Sequence, residues 1–116
     1  MGNTVEKVGD VTIITVTAED LDAANADDFR RDVAPALKDC RKLVIDLGRV
    51  MFMDSRGCGA ILSCLKQISK AGGDLKLCRV TEHVRMVFEL IRMDKICEIF
   101  DTREEAVQAL ENRKQP

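Results

Sequence analysis

Leu43-Val44-Ile45-Asp46-Leu47-Gly48-Arg49-Val50-Met51-Phe52-Met53-Asp54-Ser55-Arg56-Gly57-Cys58-Gly59 is the stretch that decides the fold. Its first five residues are nearly all apolar and too few for a stable helix. They suit a central strand buried on both faces. Gly48–Met53 reads as a connector rich in large apolar side chains. Asp54-Ser55 then opens a helix predicted from about Gly57 to Lys70, with Ile61, Leu65 and Ile68 on its inner face. Ala71-Gly72-Gly73 stops that helix, as glycine does at a helix C-terminus. A buried strand followed directly by a helix is the building unit of an α/β domain.

The flanking sequence repeats this unit. Downstream, Leu75–Val80 reads as a strand. Thr81 is the expected cap of a helix whose stripe is Val84, Val87, Phe88 and Ile91. Lys95–Phe100 alternates as a last strand, and Thr102-Arg103-Glu104-Glu105 forms a capping box before a final helix with Val107 and Leu110 inward. Asn112–Pro116 reads as a short, disordered, solvated tail. Upstream, a strand near Thr4–Lys7 turns at Gly9-Asp10 into Val11–Thr17, where apolar residues alternate with threonine. Glu19–Asp22 is acidic and irregular. Asn25 is the expected cap of a helix from about Ala26, with Asp27 and Asp28 in its first turn and Phe29, Val33 and Leu37 as its stripe. Pro35 should kink or end it. The order is strand, strand, helix, and then strand and helix three times over, which predicts a single α/β domain over residues 1–116 with a largely parallel sheet.

Composition excludes several function classes. Four Phe with no Trp or Tyr leave few stacking platforms for single-stranded nucleic acid, and a net charge of −2 is wrong for a polyanion binder. No segment approaches the ~20 apolar residues that span a bilayer, and the N-terminus has no apolar leader, so no membrane is implied and a cytoplasmic location is expected. Cys40, Cys58, Cys64, Cys78 and Cys97 are odd in number, without CxxC or a Cys/His cluster. No metal is implied, and most of the five read as core-filling thiols in a reducing compartment.

The chemistry concentrates at Asp54-Ser55-Arg56-Gly57-Cys58-Gly59. Ser55 falls at or near the helix N-cap, so it reads first as a cap. Two glycines follow within the first turns, where each costs helix stability, up to about 1 kcal/mol. That pattern suggests close approach of something to this backbone. A helix N-terminus also suits an added phosphate. The run is neither a dinucleotide fingerprint, since Leu62 occupies the third glycine position, nor a phosphate-binding GxxxxGK loop. Cys58 in the first turn beside Arg56 is the thiol expected to react first, unless it is a packing residue. The lone His83, with no GxSxG elbow around Ser55, argues against a serine hydrolase, and no catalytic residue is assigned.

The stretch resembles the phosphorylation-site signature of STAS-domain anti-sigma-factor antagonists, in which an Asp-Ser-x-Gly-x-Gly run follows a strand and opens a helix. The resemblance spans nearly the whole chain. Leu21-Asp22, the Leu43–Leu47 strand, the Gly72-Gly73 turn, Leu75–Cys78 and the Val84–Phe88 helix all fall in family order. It implies a STAS domain with a mixed sheet of about four to five strands and about four helices. It implies an antagonist that binds an anti-sigma factor which is also a serine kinase. Phosphorylation of Ser55 breaks the complex, and a PP2C-type phosphatase restores it. No cofactor is implied for this chain, ATP being bound by the kinase. Asp22, Asp54, Arg56, Gly57, Cys58 and Gly59 are implied as partner-binding residues or acceptor surroundings. The alternative is a STAS-type interaction module in a stress-signalling or lipid-transport assembly that never meets a sigma factor. The chain departs from the family pattern at Arg56 (usually small), Cys58 (usually Leu), Glu19 (commonly Gly) and Ile91-Arg92-Met93 (usually small-Gly-Leu).

Overall fold

The computed structural model describes residues 2–112, so most of the expected tail, residues 113–116, lies outside the described residues. A hairpin of β1 (Thr4–Val8) and β2 (Val11–Thr15) opens the chain. β3 (Asp20–Leu21), α1 (Ala26–Leu37), β4 (Lys42–Asp46), β5 (Phe52–Met53), α2 (Ser55–Lys70), β6 (Asp74–Cys78), α3 (Glu82–Leu90), β7 (Ile99–Phe100) and α4 (Arg103–Glu111) follow. The main sheet runs β1-β2-β4-β6-β7, antiparallel at β1/β2 and parallel elsewhere.

The core explains this order. Leu43 and Ile45 of β4, with Leu47 just after it, join one apolar cluster, built with Phe29 and Val33 of α1, Ile61 and Ile68 of α2, and Val84 and Phe88 of α3. Val44 joins a second cluster with Val11 and Ile13 of β2 and Ala106, Val107 and Leu110 of α4. The central strand is thus covered on both faces, as its unbroken apolar run requires. Asp46, fully buried, is the polar exception. Its Oδ2 accepts from Arg103 Nη2 at 2.9 Å and Arg79 Nη1 at 3.2 Å, and its Oδ1 accepts from the Gly48 N–H at 2.9 Å. Arg103 also donates to Thr15 Oγ1 at 2.7 Å, tying α4 to the sheet.

Several expectations are corrected. α1 runs through Pro35 to Leu37. Pro35 is exposed in the last turn, so the helix forfeits only one hydrogen bond, at a carbonyl that water can reach. The segment expected as a strand from Lys95 is instead a 3-10 turn over Met93–Lys95, with only Ile99–Phe100 paired to β6. Glu19–Asp22 and the apolar connector are not irregular throughout. Within them β3 and β5 pair in parallel, Asp20 with Phe52 and Leu21 with Met53, as a separate two-stranded ribbon. Ile91, expected inward, caps α3 and is exposed. Two expected side-chain caps do something else. Thr81 Oγ1 donates to the Val50 carbonyl at 2.7 Å. Asn25 spans its own loop, its Oδ1 accepting from the Asp22 N–H at 3.0 Å and its Nδ2 donating to the Asp20 carbonyl at 2.7 Å. The capping box at Thr102 and Glu105 forms as expected.

Candidate functional site

The β3–β5 ribbon carries the start of α2. Asp54, not Ser55, is the N-cap: its Oδ1 accepts from the Gly57 N–H at 3.0 Å. Its Oδ2 accepts from the Ala23 N–H, also at 3.0 Å, so one carboxylate joins the helix to the loop after β3. The Gly57 amide, followed by that of Ala23, outweighs the opposing desolvation and holds the Asp54 carboxyl below the usual carboxylate range. Asp22 lies in the same loop, where its Oδ1 accepts from the Ala24 N–H at 3.0 Å and its carbonyl from Asn25 and Ala26. The ribbon therefore brings Asp22 and Asp54 to one edge of the α2 N-terminus.

Ser55 is the first residue of the helix and is exposed. Because Asp54 does the capping, no described residue engages the Ser55 hydroxyl. Arg56, exposed beside it, forms no ion pair among the described residues. This hydroxyl stands at the positive end of a 16-residue helix, whose first amides are turned to Asp54.

The two glycines differ. A Cβ on Gly57 would lie 2.1 Å from the Leu21 carbonyl oxygen, so what approaches this backbone is the chain's own β3. A Cβ on Gly59 would meet only Arg30 Nη2, at an ordinary 3.6 Å. Gly57 and Cys58 are buried directly beneath the exposed Ser55 and Arg56, so of the expected partner-binding residues or acceptor surroundings they can be only the latter. Cys58 is not an activated thiol. Burial pushes it up, the Asp54 charge adds to that, and its side chain fills the main core. Burial likewise pushes Cys64 up to about 11 and Cys78 and Cys97 up to about 12.

A contact that the sequence did not foretell, between Phe52 and His83, shapes the site. Phe52 is 44% exposed, and its ring stacks on that of His83 with centroids 5.4 Å apart. His83 is thus engaged with an aromatic face. Together with Thr81 on the Val50 carbonyl, this contact latches α3 to β5. The available signal was Met51-Phe52, two large apolar residues in a connector with no predicted partner.

The site is thus an exposed serine at a glycine-containing helix start with carboxylates beside it, on an α/β module with a covered sheet, and no metal-binding cluster occurs among the described residues. The STAS domain family matches residues 4–106. The chain is 33% identical over 107 residues to BtrV of Bordetella bronchiseptica, a candidate anti-sigma factor antagonist, covering 91% of each protein. It is 32% identical over 103 residues to the anti-sigma F factor antagonist of Paenibacillus polymyxa, covering 87% of each. The crystal structure of a candidate anti-sigma factor antagonist from Thermotoga maritima superposes with a TM-score of 0.86 at 31% identity over 95% of each chain. The chain belongs to the STAS-domain family of anti-sigma factor antagonists. Among the described residues no helix is long and apolar enough to cross a membrane.

Proposed function

We propose that this protein is a cytoplasmic anti-sigma-factor antagonist that binds an anti-sigma factor which is also a serine kinase. Phosphorylation of Ser55 releases it, and a PP2C-type phosphatase resets it. One observation carries this reading. Asp54 takes the capping role, which leaves the Ser55 hydroxyl exposed and unengaged at a helix N-terminus. The helix end tolerates the added phosphate, whose charge is about −1.5 to −2 at pH 7. A docked partner, by contrast, would have to desolvate that phosphate beside Asp54 and Asp22. The switch therefore blocks docking and does not unfold the domain. The chain needs no cofactor of its own and acts as a binding protein, since ATP comes with the kinase. Arg56 stands where a guanidinium can contact either the partner or the phosphate.

The test is incubation with the cognate kinase and ATP. Ser55 should be labelled and Ser55→Ala should not. Ser55→Asp should melt within a few degrees of wild type and bind the kinase at least tenfold more weakly, about 1.4 kcal/mol. Labelling at the exposed Ser63 or Ser69, or a large loss of melting temperature in Ser55→Asp, would overturn the reading.

A further inference from the structure

An apolar ridge begins beside the acceptor and climbs onto α3. Met51 and Phe52 are 58% and 44% exposed, and Met86 and Leu90 on α3 are 58% and 83% exposed. His83, Met86 and Leu90 stand at i, i+3 and i+7, one face of the helix, opposite the buried Val84 and Phe88. The Phe52–His83 stack joins that face to β5. The four apolar residues leave on the order of 500 Å² bare, at about 200 Å² for a large side chain, the size of the largest apolar patch on a typical monomer, which is often functional.

Reach and charge identify the occupant. Ser55 follows Phe52 by three residues, so their Cα atoms are at most about 11 Å apart. A standard interface takes about 800 Å² from each partner, a disc of roughly 16 Å radius. A partner seated over Ser55 therefore reaches Phe52 and the stacked His83 at the start of α3, from which the ridge runs on along the helix. Acids line the strand and loop next to β5 and the start of α2: Glu19, whose carbonyl accepts from the Met51 and Phe52 amides, Asp20 in register with Phe52, and Asp22 and Asp54. Two copies of this chain paired about the site would bring those carboxylates toward one another, which disfavours self-association.

We infer that the Met51–Phe52–His83–Met86–Leu90 ridge supplies most of the affinity for the anti-sigma factor, while Ser55 at its edge supplies the switch. This rests on the reading of Ser55 given above. The test uses the double variant Met86→Gln/Leu90→Gln, both sites being exposed, with the source organism's own anti-sigma factors purified singly. The dissociation constant for the one that binds wild type should rise at least tenfold. Melting should be unchanged. In the kinase assay KM should rise while kcat holds, because the hydroxyl is intact. Ser55→Ala should bind as wild type and take no label, which separates ridge from switch. Binding of the double variant within twofold of wild type, while Ser55→Asp still dissociates, would overturn the ridge and leave the Ser55 reading standing. A wild-type dimer in sedimentation that the double variant abolishes would assign the ridge to a second copy and overturn the proposed occupant. Failure of wild type to bind any anti-sigma factor would overturn the Ser55 reading and this inference with it.

Discussion

Gly57 and Gly59 lie two residues apart in one motif, and alanine at the two sites should act with opposite sign. At Gly57 the added Cβ would sit 2.1 Å from the Leu21 carbonyl oxygen and 2.8 Å from Met53 Cγ. Carbon and oxygen approach comfortably to about 3.3 Å, so β3 must retreat by roughly 1 Å. Leu21 is buried backbone that pairs with Met53 and accepts from the Asp54 N–H, and its loop holds Asp54 through Ala23. Overpacking costs about 1–3 kcal/mol and each weakened hydrogen bond about 1 kcal/mol, against a helix gain of 0.5–1 kcal/mol from replacing glycine. The net is a loss of about 2–4 kcal/mol. For a chain of 116 residues that lowers the melting temperature by roughly 8–15 °C. At Gly59 only the helix gain remains, since the nearest atom outside the helix backbone is 3.6 Å away at the tip of Arg30. Gly59→Ala should therefore melt about 2–4 °C higher. Circular dichroism melts and urea titrations of the two variants decide it. Shifts of the same sign, or a Gly57→Ala melt within 2 °C of wild type, would refute the close-approach argument.

Three further outcomes are expected. Arg92 holds φ 65° and ψ 26°, the left-handed region that costs a side-chain-bearing residue about 1–2 kcal/mol; after the entropy glycine adds to the unfolded chain, Arg92→Gly should stabilise the fold by about 0.5–1 kcal/mol in urea titration. Burial alone would push the Asp46 carboxyl up, but the Gly48 amide and the Arg103 and Arg79 guanidiniums outweigh it and hold it low. As pH falls the unfolded chain therefore takes the proton first, so this stabilisation is complete above about pH 4 and is lost as pH drops through the lower folded-state value. Asp46→Asn should cost about 3 kcal/mol at pH 7 and flatten the loss of stability below pH 4 in pH-dependent denaturation. Limited alkylation of the folded protein with peptide mapping should find Cys58 slow, in step with the other buried thiols; rapid, selective labelling of Cys58 would contradict its burial.

Much of this protein was legible from side-chain order alone. The double-sided burial of Leu43–Leu47, the helix stripes at Phe29/Val33 and Val84/Phe88, and the Thr102–Glu105 box follow from periodicity and local hydrogen bonding, which act over a few residues. The same local pattern located Ser55 at a helix start and marked Gly57 as a close-approach site. The tertiary structure decided the rest, because each outcome depends on groups distant in sequence. Asp54 rather than Ser55 became the cap, since Asp54 alone also receives the Ala23 amide from the loop after β3. Thr81 turned from its own helix to the Val50 carbonyl, 31 residues back. Two-residue strands such as β3 and β5 carry no periodicity of their own and exist only through each other. Cys58 reads as a reactive thiol by position and proves a packing residue because the folded chain buries it in the main core beside Asp54, and both burial and that charge oppose the thiolate. Short-range sterics and apolar period thus determined most of the helix and strand segments, though not β3, β5 or the turn at Met93–Lys95, and put Ser55 at a helix start. Only the folded chain determined which of the two adjacent oxygen-bearing side chains was left free, because that follows from a hydrogen bond closed across 31 residues.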